Sequence, residues 1–539
     1  MARHGKASIR NQSVNPLKYM NRTIIASRYD HWLRASEKTL NILIRIVVYS
    51  SAFYFFSFVS ADTDLWGHIK FGQDLWAAWA FQRVDIYSYT ASGHEWINHE
   101  WLSELIMYFT YRFFGSAGLL IGKTLVGFSI VYMLSKICFY RTCEPLVYGI
   151  IFVLAVFVMS PGFMIRPQLV TFLFTAYFLY TFHLYLERGK DRLWSLPVVM
   201  VAWVNCHGGF LIGAGLFPVI VAGDYISCLL REKDPGYLKR MVLWCTLTEI
   251  AVLINPYGYH LLAFLMTSLS APRQIGEWFP VTVFDASYLR FKLLAALFLC
   301  SFLVRNPQRR YWEVSIIGVA MIYAFMHQRH TPIFAILTAP YLTENLSILV
   351  QKRRVVTRIR TLSSQIVLIC FLFLLFSYQT AFAGYKYIEA RWNIIVNPDE
   401  YPVAAVRFIK QNGIKGKILT PFEWGEYAIW KLYPDSQVSM DGRFRTVYPE
   451  EVIRGHFWAT RDIRKLTALL EKYPADIILG RQNPLYQQMM TAENEWIYVY
   501  SDPTSMVFLR DNRVNREVLK KFRKNALTYS SEKISPFFP

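Results

Sequence analysis

The chain has 539 residues, of which 54% are hydrophobic and only 18% charged, with 34 Tyr, 40 Phe and 16 Trp. That balance leaves too little charge to cover the surface of a soluble protein of this length. The net charge of +20 does not signal nucleic acid, because the basic residues are dispersed over loops between apolar stretches and do not gather on one domain or stripe.

Residues 1–39 form a basic segment carrying Arg3, Lys6, Arg10, Lys18, Arg22, Arg28, Arg34 and Lys38, which the positive-inside rule places in the cytoplasm. The apolar run 40–60 follows without a small-residue cleavage site, so it reads as a retained anchor. Residues 61–103 make a long polar loop. Within it, 65–82 is Trp-rich and amphipathic, suited to lying flat in the membrane interface. A short apolar stretch ends at Gly115. Further spans are predicted at 117–139, 146–159, 169–186, 193–205, 210–230, 241–254, 289–304, 314–325, 333–350 and 366–382, about eleven in all. Alternate loops are rich in Arg and Lys, whereas the opposite ones carry isolated Arg166, Arg273 and Arg329. This asymmetry predicts an inner-membrane protein with its N-terminus in the cytoplasm and its C-terminus outside. The seven cysteines lie in or beside apolar segments, without metal-type spacing or a disulfide framework.

The expected fold class is therefore membrane all-α over residues 40–384, followed by an extracytoplasmic α/β domain at 385–512. Short β-rich runs at 417–420, 437–440, 476–479 and 505–509 alternate there with helical patterns. Residues 513–539 read as a basic tail.

Under this topology the polar clusters all fall on the outer side: Asp62-Thr63-Asp64, Asn98-His99-Glu100, Arg166-Pro167-Gln168, Asn205-Cys206-His207-Gly208-Gly209, Asn255-Pro256-Tyr257-Gly258 and His327-Gln328-Arg329-His330. One shared site is the economical explanation. Asp62 and Asp64 sit at the end of a span, where acids are costly. They are candidates for a general base, or with Glu100 for holding a divalent cation; capping of the next helix is the competing account. His68 follows Asp64 by one helical turn. His99 is a candidate for touching a lipid phosphate, against a helix start capped by Asn98. Arg166, Arg329 and His330 suit a phosphate in a poorly solvated groove, against ion pairing with the acids. His207 is a lesser candidate, since His-Gly-Gly and Asn-Pro-Tyr-Gly also mark tight turns. In the α/β region, Trp424, Glu426, Tyr427, Asp441 and Arg443 suit recognition of an acceptor through rings and acids; for Asp441 and Arg443 a turn with an internal ion pair competes.

This layout resembles GT-C glycosyltransferases, polytopic enzymes that use polyprenyl-phosphate-linked sugars, among them protein O-mannosyltransferases, aminoarabinose transferases and oligosaccharyltransferases. The combination of Asp-X-Asp-Leu-Trp, Asn-His-Glu-Trp, His-Gly-Gly, Asn-Pro-Tyr-Gly, Trp-Gly-Glu-Tyr and Asp-Gly-Arg resembles a bacterial GT-C-like group. The resemblance implies that Asp62 or Asp64 is the catalytic acid and that His99 and Glu100 stand where relatives contact phosphate or metal. Trp424-Gly425-Glu426-Tyr427 is similar to the acceptor motif of oligosaccharyltransferases, without its paired Trp and its Asp. The expected partners are a polyprenyl-linked sugar donor, a glycan, lipid or protein acceptor, and membrane lipids. A lipid-linked saccharide transporter or an assembly scaffold without chemistry of its own fits the same layout.

Overall fold

A computed structural model describes residues 16–231, 235–270, 275–304, 306, 309–352, 361–459, 462–484, 495–522, 528–529 and 537–538. Arg273, the start of the basic N-terminal segment and most of the stretch after 522 lie outside them.

The first thirteen helices in chain order are α1 (Pro16–Phe56), α2 (Leu65–Ala78), α3 (Trp101–Phe139), α4 (Pro145–Met159), α5 (Gln168–Arg188), α6 (Ser195–Val204), α7 (Phe210–Arg231), α8 (Leu238–Ala251), α9 (Tyr259–Ser270), α10 (Leu289–Cys300), α11 (Tyr311–Met326), α12 (Thr331–Lys352) and α13 (Leu362–Glu389). Among the described residues, seven helical segments are long and apolar enough to cross a membrane. They are Asp30–Phe56, Trp101–Phe139, Pro145–Gly162, Gln168–Arg188, Phe210–Leu230, Gln328–Lys352 and Leu362–Glu389, so the chain is a multi-pass membrane protein. The expectation of about eleven spans differs from this count for a physical reason. The stretches read as spans at 193–205, 241–254, 289–304 and 314–325 are α6, α8, α10 and α11, of 10, 14, 12 and 16 residues. Such helices are about 15–24 Å long, short of a hydrocarbon core of about 30 Å.

The polar loop is folded. α2 buries Leu65, Trp66, His68, Ile69 and Phe71 and packs so closely on the start of α3 that a Cβ on Gly72 would come 2.2 Å from the Glu104 carbonyl oxygen. Trp79 ends α2 in the left-handed region (φ 50°) and is 78% exposed. α3 breaks at Gly115, whose φ of 61° and ψ of −158° suit glycine alone. The break divides residues 101–114, beside the loop, from the spanning part. At the far end of the bundle a buried ionic cluster ties the loop before α4 to α5, α11 and α12. Arg141 meets Glu187 and, at 2.7 Å, Glu313; Arg310 meets Glu344 at 2.6 Å.

After α13 the chain forms a mixed six-stranded sheet. Its strands are β1 (Gly416–Leu419), β2 (Ser436–Val438), β3 (Ile477–Arg481), β4 (Trp496–Ser501), β5 (Ser505–Arg510) and β6 (Thr528–Tyr529), in spatial order β2-β1-β3-β5-β4-β6. β1 pairs in parallel with β2 and β3, whereas β5 runs antiparallel to β3 and β4. The intervening helices are α14 (Val403–Gln411), α15 (Gly425–Leu432), α16 (Glu450–Ala459), α17 (Ile463–Lys472) and α18 (Arg516–Phe522). Side-chain alternation divides the sheet. Ile477, Leu479, Val507 and Leu509 join a core with α14 and α15, while Ile478, Met506 and Phe508 join one with α17.

This unit is not a separate body on a tether. The core on the α14/α15 side continues into Leu65, Trp66, Ile69, Phe71, Tyr87 and Trp96 of the first loop. Backbone bonds from Val438 to Tyr87 (3.0 Å) and from Tyr89 to Val438 (3.1 Å) lay the loop along the β2 edge. Nor are residues 513–539 a detached basic tail where they are described. Leu519 of α18 is buried, β6 pairs with β4, and Phe538 stacks against Trp66. Leu519 and Phe538 are inserted into the shared core, which the charge of the stretch concealed.

Candidate active site

A single cavity of about 620 Å³ lies between the helix bundle, the first loop and the α/β unit. Its head is polar, lined by Asp64, His68, Glu100, Arg166, His207 and Arg329 among others. Its continuation is apolar, lined by Leu211, Ile212 and Val219 of α7, Phe264 of α9, Ile316 and Ala320 of α11, and Ile333 and Leu337 of α12. Five of the six sequence clusters thus contribute lining residues.

Asp64 occupies the N-cap position of α2 but makes no capping bond with its side chain; Asp62 Oδ1 instead accepts the Asp64 N–H at 3.1 Å. The Asp64 carboxylate is left facing the cavity. Arg166 bridges three acids: Nε to Asp62 Oδ1 at 2.5 Å, Nη1 to Glu277 Oε1 at 2.8 Å and Nη2 to Asp64 Oδ2 at 3.5 Å. Asp62 is 7% exposed and absent from the lining, so Arg166 and Asp62 hold Asp64 from behind. The charge of Arg166 is committed to that task, which is the ion-pairing account of this residue.

A second network surrounds Glu100, just before α3. Its Oε1 lies 3.7 Å from His207 Nε2 and 3.8 Å from His99 Nε2. Burial opposes the Glu100 charge, yet its surroundings, His99 first, with His68 and Arg329, hold the carboxyl below its ordinary range. Asn98 supports the helix start by accepting the Glu100 N–H at 3.2 Å, and donates to Glu104 Oε2 at 2.6 Å. His68 Nδ1 is 3.6 Å from Glu104 Oε1. Burial pulls the His68 imidazole down, and Glu104, Glu100 and Asp64 together raise it above its usual value.

The turn at His207 is built by glycine. His207 Nδ1 accepts the Gly209 N–H at 3.0 Å and faces the Thr171 hydroxyl at 2.7 Å, while Trp203 Nε1 donates to that hydroxyl at 2.9 Å. The ring proton therefore sits on Nε2, toward Glu100. Burial, reinforced by Arg329 and His99, pushes this imidazole down to about 3, so it is neutral at physiological pH. A Cβ on Gly209 would stand 2.3 Å from Thr171 Oγ1 and 2.7 Å from His207 Nδ1. His-Gly-Gly forms a tight turn, and the same turn lines the cavity. Asn-Pro-Tyr-Gly acts as a brace: the Tyr257 hydroxyl accepts the Asn98 N–H at 2.9 Å.

Arg329 stands in the turn before α12 with its guanidinium 4.6 Å from the centre of the Trp278 ring. Among the described residues no carboxylate lies within ion-pair distance of it. His330 lines the cavity beside it. Asp62, Asp64 and Glu100 do not form a metal-holding set; no group of three His, Cys, Asp or Glu side chains among the described residues does.

The α/β unit brings Glu426, Gly442, Arg443 and Arg445 to the cavity. The other acceptor candidates take structural places. Trp424 is buried, donates to the Glu400 carbonyl at 2.7 Å and carries Arg481 on its face. Tyr427 packs edge-on against Trp66. Asp441 binds Arg443 through two bonds of 2.7 and 2.8 Å and accepts the Tyr448 hydroxyl at 2.6 Å. Glu277, Trp278, Glu104 and Thr171 escaped sequence reasoning. Glu277-Trp278 follows the isolated Arg273 by four positions in the sequence, and an acid beside an aromatic in a presumed outer loop was the available signal.

No family model matches the sequence, and no curated protein matches it. Solved structures do match. The oligosaccharyltransferase of Archaeoglobus fulgidus aligns with a TM-score of 0.53 at 12% identity, covering 88% of this chain and 74% of that one. ArnT of Cupriavidus metallidurans in the apo state aligns at 0.51 and 11%, covering 88% and 98%. The mycobacterial arabinofuranosyltransferase AftD aligns at 0.52 and 11%, covering 87% of this chain and 40% of that one. What these three have in common is the GT-C fold, and that is the fold of this chain.

Proposed function

We propose that the protein is a membrane glycosyltransferase that moves a sugar from a polyprenyl-phosphate carrier to an acceptor hydroxyl or amine. One observation carries this reading: a single cavity joins a polar head holding Asp64 and Arg329 to an apolar corridor between α7, α9, α11 and α12. A phosphate on an isoprenoid chain has that same division. The GT-C fold supports a glycosyltransferase in general.

In this mechanism Asp64, aligned by Arg166 and Asp62, takes the proton of the acceptor. The acceptor's electron pair forms the new bond to the anomeric carbon. The bond from that carbon to the phosphate oxygen breaks, and its electron pair leaves with the phosphate. Arg329, whose guanidinium is uncommitted to any carboxylate among the described residues, neutralises that charge with His330 and His99 beside it. The interfacial α2 and the α/β unit frame the site on the extracytoplasmic (periplasmic) side of the inner membrane, with the N-terminus in the cytoplasm. The acceptor is a glycan, lipid or protein of the cell envelope.

The test is transfer of radiolabelled sugar from polyprenyl-phosphate donors by the purified protein. Loss of transfer in Asp64→Asn supports the reading. Equal turnover in wild type and variant removes Asp64 as base. A protein that exports lipid-linked saccharide unchanged, without transfer, is the transporter instead.

A further inference from the structure

Glu426 opens the first turn of α15, yet its carboxyl leaves the α/β layers and enters the site. The residue is 3% exposed. Its Oε2 accepts the Gly67 N–H of α2 at 3.0 Å. Glycines make the slot it occupies. A Cβ on Gly67 would stand 2.2 Å from Oε2, and one on Gly442 would stand 2.4 Å from Oε1 and 2.7 Å from Asp64 Oδ1. Gly425, one residue before, leaves 2.2 Å between its own would-be Cβ and the Met440 carbonyl oxygen. Gly67 and Gly442, from two parts of the chain, thus admit one acid, and Gly442 borders Asp64 as well.

The charged groups facing Glu426 are Asp64, Asp441 and Arg443. The only cation of the three is already engaged: Arg443 Nη1 meets Asp85 Oδ1 at 2.7 Å and Nη2 meets Asp441 Oδ2 at 2.7 Å. Among the described residues no Lys, Arg or His lies within ion-pair distance of Glu426. One oxygen of each carboxyl lies within 2.7 Å of the same point, the would-be Cβ of Gly442, and two such neighbours, one of them buried and without a cation, do not both ionise. Asp64 has Arg166 and the open cavity, so it takes the charge.

We propose that Glu426 is a proton-holding positioning residue, a neutral carboxylic acid that faces Asp64 across Gly442 and keeps that carboxylate as the one negative charge of the pair. The inference rests on the reading of Asp64 as the base. Burial, then the charges of Asp64 and Asp441, move Glu426 well above the usual carboxylate range, in the direction the geometry requires. During transfer Glu426 keeps its proton and the acceptor's proton goes to Asp64. The α/β unit therefore supplies a group to the lining of the site.

Two measurements on the full-length protein test this. The first is the infrared absorption of protonated carboxyl groups at neutral pH, taken as wild type minus Glu426→Gln. The proposal expects a band present in wild type and missing in the variant, whether or not the donor is a polyprenyl-phosphate sugar. An identical spectrum overturns it. The second is the pH profile of transfer. Glutamine keeps the shape and the neutrality, so the rate at neutral pH stays within about tenfold of wild type, the scale of one hydrogen bond, and the alkaline fall caused by ionisation of Glu426 disappears. An alkaline limb unmoved in Glu426→Gln overturns the proposal, while loss of transfer in Asp64→Asn leaves the proposed function standing.

Discussion

Arg443 of the α/β unit reaches Asp85 of the first loop at 2.7 Å, inside a ring of Phe71, Tyr87 and Trp96 whose centres lie 4.8 to 5.1 Å from its guanidinium carbon. Asp441 holds the other edge of the same guanidinium. The two acids and one cation are buried, so the clasp fixes how the sheet sits on the loop, and thereby where Glu426 and Gly442 meet Asp64.

Breaking this clasp leaves an uncompensated buried charge. Asp85→Asn or Arg443→Gln is expected to cost about 3–5 kcal/mol, read as a lowered denaturation midpoint of the solubilised protein. Combining the two costs less than the sum, because their partners are shared. Additive losses would show that the groups act independently.

Gly209→Ala places a methyl group where Thr171 Oγ1 and His207 Nδ1 already stand. Displacement of the turn is expected to cost about 1–3 kcal/mol and to lower transfer, both measured on the purified variant. Gly384→Ala is the control, since a Cβ there meets nothing and the residue is outside the cavity lining.

His207 gives the stability a pH dependence of known sign. Its folded value of about 3 lies below the unfolded 6.5, so between these values the unfolded chain binds the proton that the folded one refuses. The His207 contribution to stability is complete above about pH 6.5 and falls as the pH drops toward about 3, by up to about 1.4 kcal/mol per unit. Thermal melts of wild type and His207→Gln across this range check it, with the shallower slope expected in the variant. His456, also depressed, to about 4, acts in the same direction in both proteins.

Arg329→Gln is expected to weaken binding of polyprenyl phosphate about tenfold or more, the loss of a charged hydrogen bond of about 1.5–3 kcal/mol. Arg329→Lys restores part of it. Trp278, under the guanidinium, provides the fluorescence signal. Unchanged affinity in Arg329→Gln would remove it from the phosphate site.

Much of this was legible in the chain, and the reason is periodicity. Long apolar runs mark the spans, Gly115 marks the corner in α3, and the runs at 417–420, 437–440, 476–479 and 505–509 coincide with β1, β2, β3 and β5. Short apolar helices such as α6 and α10 carry the same composition as spans, and only length in space tells them apart. β4, with Tyr498 and Tyr500, offers weaker alternation and was missed. At the site, the clustering of acids, histidines and arginines foretold the cavity, because polar residues beside spans need partners. The assignment of charge among them was not legible. Arg166 and Arg329 look alike in sequence, yet one is held by three carboxylates and the other faces the cavity over Trp278. Likewise nothing in Trp424-Gly425-Glu426-Tyr427 indicates that the acid alone enters the site while both rings pack away from it.

The claim on which the rest depends is that the polar head of the cavity is a phosphate site and the apolar corridor its lipid path. A cryo-EM structure of the protein with undecaprenyl phosphate tests it most directly. The expected result is phosphate density beside the Arg329 guanidinium, facing Asp64, with the isoprenoid running between α7 and α11. Lipid density elsewhere, with this cavity filled only by water, would contradict it.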